Sequence, residues 1–512
     1  MRTGVTQLLS DDALQVASQH VERSLGLHFP EPRYAELERA LVCATNELDL
    51  SGPEALVGRL GADRLSQREI EVLAGQLTIG ETHFFRDRPV FDTLENEFLP
   101  PLIASRRQSQ PYLRIWSAAC CTGEEAYSLA ILLHRLIPDW HDWNITILAT
   151  DINPVFLDRA ASGRYRPWSF RSTPDWLQAE YFRPGPDDTV DLLPEIRRMV
   201  TFSYLNLVDA TYPSPATNTN AMDLIMCRNV LMYFAPDRAR VVVRKLVNSL
   251  VEGGCLLLSA CEASTGLFEG LPVERTPAGF AYCRATPTPP ALASPRLRES
   301  RARSRPPRAD QEGALSRTQI VFKALLAKEA SHPAIQDEQV DGEAGAAYER
   351  ASCLYSEGHY PDAIRELQAV DDRDELSLAA LVLAARACAN AGELEQALSW
   401  CVEAIMRDRA DPAPHLLQAS VLQELGRDAE AVSALRRCLY LDANRVLAHF
   451  NLGNLALRKS DRKTAAKHFR HARDVLASCP TDSVIPDSGG LTAGRLDQLI
   501  VSLLKGLERD AA

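Results

Sequence analysis

Between residues 351 and 469, small and apolar residues return at intervals of 34. Gly358, Gly392 and Gly426 form one ladder, and Ala363, Ala397, Ala431 and Ala465 a second. Ala351, Ala385, Ala419 and Gly453 form a third, and Leu367, Cys401, Leu435 and Phe469 keep the same spacing. Small residues at two fixed places let the two helices of a hairpin cross closely, and glycine turns the chain between them. The shared register therefore predicts stacked helical hairpins over 340–512, forming an all-α superhelix with a concave, partner-binding groove. Apolar residues at helical spacing from Leu491 to Leu507 predict a helix that caps the stack. The repeats carry no catalytic reading.

The rest of the chain divides by pattern. Residues 1–80 read as helical, with Leu37, Leu41, Val42, Leu48 and Leu56 as apolar faces and breaks at Gly26, Pro30, Pro32, Gly52 and Pro53. Residues 81–285 alternate strands with helices. Strands are predicted over 112–120, 145–151, 199–207, 223–227, 255–260 and 281–284, and helices near 124–136, 153–161 and 236–250. That alternation predicts a mostly parallel sheet covered on both faces. Residues 286–314 hold Pro289, Pro290, Pro295, Pro306, Pro307 and six arginines. They bury too little apolar surface to order and are predicted to be a tether, followed by a helical connector over 315–339.

Composition narrows the class. A formal charge of −12 argues against a nucleic-acid partner, which demands a basic face. The 12 cysteines show no CxxC pair and no zinc spacing, so reduced thiols in the cytoplasm and no metal are expected. No apolar leader and no run of 18 apolar residues occurs, so the chain is not expected to be embedded in a membrane.

Chemistry concentrates where strands end. Tyr112–Trp116 is a buried, β-favouring run that enters Ser-Ala-Ala-Cys-Cys-Thr-Gly-Glu-Glu, and Leu129, Leu132, Leu133 and Leu136 then share one helical face. Such a junction is where open α/β sheets hold nucleotide-like ligands. The second strand ends in Ala149-Thr-Asp-Ile-Asn153. Asp151 there is placed to accept both hydroxyls of a ribose, and the plainer reading is that Asp151 or Asn153 serves as a helix N-cap before Pro154. Asn206-Leu207 closes the third strand, and Cys227-Arg-Asn-Val-Leu-Met-Tyr-Phe234 the fourth.

The 34-residue ladders resemble the tetratricopeptide repeat. W-S-A-A-C-C-T-G-E-E-A-Y-S, A-T-D-I-N, the N-L pair, C-R-N-V-L-M-Y-F and the upstream Thr82-His-Phe-Phe-Arg86-Asp87 together resemble the CheR-type chemotaxis receptor methyltransferases over roughly 10–285. The resemblance implies an α/β class I (Rossmann-like) methyltransferase domain behind a helical N-terminal domain, with a small antiparallel insertion near 181–201. It also implies an S-adenosylmethionine-dependent protein-glutamate O-methyltransferase that releases S-adenosylhomocysteine. Its substrate would be a chemoreceptor-like coiled coil, and a protein or peptide partner would occupy the repeat groove. By the same resemblance Thr82, Arg86, Glu124, Asp151, Asn206, Leu207, Arg228 and Asn229 would bind the cofactor, with Glu125 competing for the role of Glu124. Arg86 and Tyr233 would flank the methyl being transferred. A glutamate side chain has a reference pKa of about 4.3, so it arrives ionised and needs alignment rather than a base.

Three features depart from the family pattern. Position 80 is Gly where many relatives carry a cofactor-contacting Asn. Residues 1–80 hold 7 Arg or Lys against 12 Asp or Glu, where relatives present basic residues to acidic receptor helices. The insertion's Pro184-Gly-Pro-Asp-Asp188 turn carries no sign of docking a receptor tether. The alternative function is a cofactor-binding signalling scaffold with little or no catalysis. A base or amine methyltransferase is disfavoured because the fourth strand lacks the N/D-P-P-Y/F turn.

Overall fold

A computed structural model describes residues 8–62, 65–109, 111–209, 212–259, 262, 273–276, 279–284, 343–370, 373–459, 461–481, 483–488 and 492–509. The expected tether and helical connector lie outside the described residues.

The N-terminal unit packs α1 (Asp11–Leu25), α2 (Tyr34–Glu47), α3 (Pro53–Gly61) and α4 (Gln67–Leu77) around Leu14, Leu37, Leu41, Leu56 and Leu73. Ser10 caps α1 by accepting from the Ala13 amide, and Ser66 with Glu69 closes a reciprocal capping box on α4. Helices α5 (Arg88–Thr93) and α6 (Leu99–Ser109), joined by a π-turn over Leu94–Phe98, then lead into the sheet.

The sheet contains β1 (Tyr112–Ala118), β2 (Asn144–Asp151), β6 (Val200–Tyr204), β7 (Met222–Cys227), β8 (Leu250–Leu258), β9 (Val273–Thr276) and β10 (Gly279–Cys283). Its order is β6-β2-β1-β7-β8-β10-β9. The first five strands run parallel, and β10 runs antiparallel to both β8 and β9. Central β1 is covered on both faces, so Leu113–Ala118 is buried continuously rather than at alternate residues. Helices α7 (Glu124–Leu136), α8 (Pro154–Ser162) and α11 (Pro236–Asn248) are the crossovers after β1, β2 and β7. The strand order reverses between β1 and β7, which opens a crevice at their carboxyl ends.

The antiparallel insertion starts earlier than the expected 181. It consists of β3 (Arg164–Tyr165), β4 (Phe182–Pro184) and β5 (Val190–Leu192) in the order β3-β5-β4, with α9 (Asp175–Tyr181) inside it and α10 (Pro194–Arg197) after it. Residues 200–204 belong to the main sheet, where Val200 pairs with Ile147. The two-residue β3 is too short to show a period of its own and forms only because β5 offers it a partner.

Among the described residues the repeats form four helical hairpins: α12 (Glu343–Ser356) with α13 (Tyr360–Gln368), α14 (Leu378–Ala391) with α15 (Leu394–Arg407), α16 (Ala413–Glu424) with α17 (Asp428–Leu441), and α18 (Val446–Arg458) with α19 (Arg462–Leu476). Helix α20 (Ala493–Arg509) packs on α19 and closes the last apolar cluster through Leu496 and Ile500. The alanines at 363, 397, 431 and 465 are fully buried. Gly358, Gly392 and Gly426 turn the first three hairpins at φ 81°, 85° and 72°, a region that costs an L-residue about 1–2 kcal/mol.

Those three turns have a second role: they meet the sheet domain. A Cβ added at Gly358 would overlap Asn248, and one at Gly392 would press on Val251 at 3.1 Å. At Gly426 it would reach Asn144 at 3.5 Å. The Arg284 guanidinium donates to the Gly358 carbonyl, and the Asn220 amide to the Ala389 carbonyl at 3.2 Å. Asn144, Asn220 and Val251 sit at the amino-terminal ends of β2, β7 and β8. The repeats therefore rest on the sheet edge opposite the crevice.

Candidate functional site

The turn after β1 is shaped by its backbone. Ala119 and Cys121 take φ of 64° and 51° without being glycine, and Gly123 takes 91°. Positive φ at ordinary residues persists only where surrounding contacts enforce it. Here the Cys120 amide donates to the Thr150 carbonyl at 2.9 Å, and the Cys121 amide to Asp151 Oδ2 at 2.8 Å. The same carboxylate accepts the Asn153 amide at 2.9 Å. Asp151 thus ties the β1 turn to the β2 turn, while Asn153 caps α8. Burial raises the Asp151 carboxyl to about 6, against these amide bonds. Burial also pushes Cys121 up to about 12 and raises Cys120 well above the ordinary thiol range, so neither thiol is a nucleophile at neutral pH.

One crevice, holding about 1030 Å³ with its open mouth included, lies above these turns. Thr82, Arg86, Asp151, Asn206, Leu207, Arg228, Asn229 and Tyr233 all line it. The N-terminal unit roofs it through Leu25, Leu27 and Leu77. Three bonds hold that roof: the Asn206 amide donates to the Ser24 carbonyl at 2.8 Å, the His28 amide to the Tyr233 carbonyl at 2.7 Å, and the Asn153 amide to Thr78 at 2.9 Å.

Glu124 is placed elsewhere. Its carboxylate accepts the Thr122 hydroxyl at 2.6 Å and the Ser169 hydroxyl at 2.9 Å, which fastens α7 to the insertion, and it does not line the crevice. Glu125 does. Glu125 accepts the Ser117 hydroxyl at 2.8 Å and lies 3.4 Å from the Arg228 guanidinium. Burial raises its carboxyl, opposed by Arg228 and Ser117. Neighbours on a helix diverge by about 100°, so only one of the two reaches the crevice.

Arg228 is the charge centre of this wall. It is ion-paired with Asp87 and Glu125 and also reaches the Arg86 carbonyl at 3.4 Å. It thereby joins the end of β7 to the segment carrying Thr82 and Arg86. Its Nε is buried without a hydrogen-bond partner. An anionic ligand group in the crevice would satisfy that donor. The residues therefore fit S-adenosylmethionine: an acceptor for the ribose at Asp151, an acceptor for the ammonium at Glu125, and an unfilled donor for the carboxylate at Arg228.

Two contributors carried no sequence signal. Glu262 accepts the backbone amides of Asn229 at 2.8 Å, Val230 at 2.5 Å and Leu231 at 2.7 Å, and so holds the turn that presents Tyr233, with Asn229 at φ 59°. A lone acid after a strand has no pattern that would single it out. Phe156 lines the crevice, and a Cβ at Gly80 would stand 2.8 Å from its ring. Gly80 and Phe156 thus share one space: the ring occupies room that a side chain at position 80 would need. In the N-terminal unit Arg33 is paired with Glu36 and Arg59 with Glu69.

Known proteins agree with this assembly. Residues 80–273 match the family described as CheR methyltransferase, SAM binding domain, and residues 354–421 and 414–445 match tetratricopeptide repeat families. The chain is 36% identical over 187 residues to the chemotaxis protein methyltransferase of Listeria innocua, covering 36% of this chain and 66% of that relative. It is 31% identical over 210 residues to chemotaxis protein methyltransferase 2 of Vibrio cholerae, covering 41% and 71%. It is 34% identical over 236 residues to chemotaxis protein methyltransferase 1 of Pseudomonas aeruginosa, covering 44% and 81%. Among the described residues, no helix is long and apolar enough to cross a membrane. Sheet order, crevice and sequence likeness agree: the chain belongs to the CheR family of S-adenosylmethionine-dependent chemotaxis methyltransferases, with tetratricopeptide repeats joined behind the methyltransferase domain.

Proposed function

We propose that this protein methylates glutamate side chains of a chemoreceptor-like coiled coil in the cytoplasm, with the repeats selecting or regulating the partner. The observation that carries this reading is the convergence of Asp151, Glu125, Arg228, Arg86 and Tyr233 on one roofed crevice. When bound, the cofactor supplies a sulfonium methyl whose C–S bond breaks as a carboxylate oxygen bonds to carbon, giving a methyl ester and S-adenosylhomocysteine.

The protein's own groups then have separable tasks. Asp151 holds the ribose, Asn206 and Leu207 flank the adenine, and Thr82 and Asn229 complete the wall. Glu125 takes the methionyl ammonium, the role the family resemblance had offered to Glu124. Arg228 receives the methionyl carboxylate through its unfilled Nε. Arg86 draws the substrate carboxylate toward the methyl group, and Tyr233 orients it by donating a hydrogen bond. No proton moves, so the rate gain comes from alignment and exclusion of water, and positioning alone supplies roughly 7–11 kcal/mol in well-oriented reactions.

The test is methyl transfer from radiolabelled cofactor to a purified receptor cytoplasmic fragment. Alkali-labile label on the receptor is the expected result, and cofactor binding without any transfer would favour the scaffold reading. That second reading draws on Gly80, where a cofactor contact of the relatives is missing, and on the acidic N-terminal unit.

A further inference from the structure

The groove of the repeats is covered by the chain's own segment. The first helices of successive hairpins pack on one another, α12 on α14 and α14 on α16, and so form the inner wall of the stack. After α19 the chain does not run straight into α20. It returns across this wall through Ser483–Ser488, which pairs with the start of α20 by the Val484–Thr492 bridge and the Ala493-to-Ser483 hydrogen bond. Asp487, at φ 62°, is held from two sides. Arg386 of α14 donates to its Oδ1 at 3.1 Å, and Arg445 at the start of α18 donates to its Oδ2 at 3.0 Å. The two arginines belong to the second and fourth repeats, so one carboxylate spans the third. Two residues earlier, Ile485 is buried in the apolar cluster of Leu416, Leu447 and Leu496.

These contacts have the form of a bound peptide rather than a helix cap. An apolar side chain fills a pocket, a proline follows, and a carboxylate is clamped by two guanidinium groups from different repeats. The clamp also stays within reach of solvent, because Arg386, Arg445 and Asp487 are each 21–33% exposed. A free carboxylate offers the two arginines the same charge-assisted bonds, so one can exchange for the other.

We infer that Ile485-Pro-Asp-Ser488 is a built-in stand-in for a partner. The repeat groove takes an extended acidic peptide with a β-branched apolar residue two places ahead of a carboxylate, and the partner binds by displacing this segment. The inference rests on reading the repeats as a partner-binding module and not on methyl transfer.

The experiment uses the full chain and a fluorescein-labelled synthetic peptide of residues 480–488, read by anisotropy. Asp487→Asn loosens the internal segment, so the peptide should bind that variant at least tenfold more tightly than wild type. Adding Arg386→Ala should abolish the gain, and Arg386→Lys should restore part of it. The same peptide with Asn in place of Asp487 should bind neither protein. Equal affinity for wild type and Asp487→Asn, absence of binding to both, or indifference to Arg386→Ala overturns the inference. Thermal melts confirm that each variant is folded. Cofactor binding measured on the same samples reports on the methyltransferase domain separately, so failure there leaves the groove result readable.

Discussion

Arg114, near the start of β1, and Glu424, at the end of α16, face each other 4.0 Å apart with only 4% of either side chain exposed. They stand in the seam between sheet and repeats. The Asn220 amide donates to both Glu424 oxygens at 3.1 Å, and the Asn144 amide to the Glu424 carbonyl at 2.6 Å. Arg114 also donates to the Asn218 side chain at 2.7 Å and to the Asn220 carbonyl. A buried charge pair is weak evidence for stability, yet removing one partner strands the other.

Glu424→Ala is therefore expected to lower unfolding stability by about 2–3 kcal/mol, below the usual cost of breaking a buried pair because Arg114 keeps its carbonyl acceptors. Glu424→Gln should lose less, since it still accepts from Asn220. Urea denaturation followed by circular dichroism checks both. A single unchanged transition in Glu424→Ala would mean that the seam contributes nothing.

Asp151 links cofactor affinity to pH. Ribose hydroxyls donate best to the ionised carboxylate, and burial sets that ionisation near pH 6. Affinity is thus expected to rise between about pH 5 and 7, and Asp151→Asn should bind weakly with a flat profile. The stability effect has the opposite sign. The folded pKa lies above the unfolded one, so folding is favoured below about pH 4 and loses that contribution as pH rises to about 6. Calorimetric titrations at several pH values, with matched melts, test the pair of signs.

The two neighbouring glutamates separate by readout. Glu125→Ala should weaken S-adenosylmethionine binding roughly 10- to 100-fold, the usual weight of a hydrogen bond to a charged group. Glu124→Gln should leave affinity within about threefold while lowering the melting temperature, because it loosens the links to Thr122 and Ser169. The reverse pattern in calorimetry would return the cofactor contact to Glu124.

Tyr233→Phe is expected to retain cofactor affinity and to lower kcat about 10- to 100-fold, the signature of a contact made to the reacting carboxylate, while Arg86→Ala should lower both kcat and cofactor affinity. Steady-state transfer to a receptor fragment, paired with calorimetry, distinguishes this from a loss of cofactor binding.

Much of this architecture was legible locally. The predicted strands over 112–120, 145–151 and 223–227 differ from β1, β2 and β7 by at most two residues at either end, because buried runs bounded by polar turns announce themselves. Strand β8 begins at Leu250, ahead of the expected 255, since Glu252-Gly-Gly254 reads as a turn. The β7–β8 register shifts between Met222 and Leu224, an irregularity that admits those glycines. Strand β9, four residues long, was not expected, because so short a run carries no period that separates it from a loop.

Whatever repeats or alternates along the chain was readable before folding: the hairpin period of 34, the strand–helix alternation, and the polar strand ends that line one crevice. These are local signals, written by burial at fixed spacing. The tertiary structure alone decided that Glu125 rather than Glu124 faces the crevice, and that Glu262 holds the Tyr233 turn. It alone set the repeat turns on the amino-terminal edge of the sheet and brought Asp487 to Arg386. Each of these pairs groups that lie far apart in the chain, or chooses between adjacent side chains by a distant partner such as Ser169. The desolvation and hydrogen-bond energies that make those choices exist only once the chain has closed on itself.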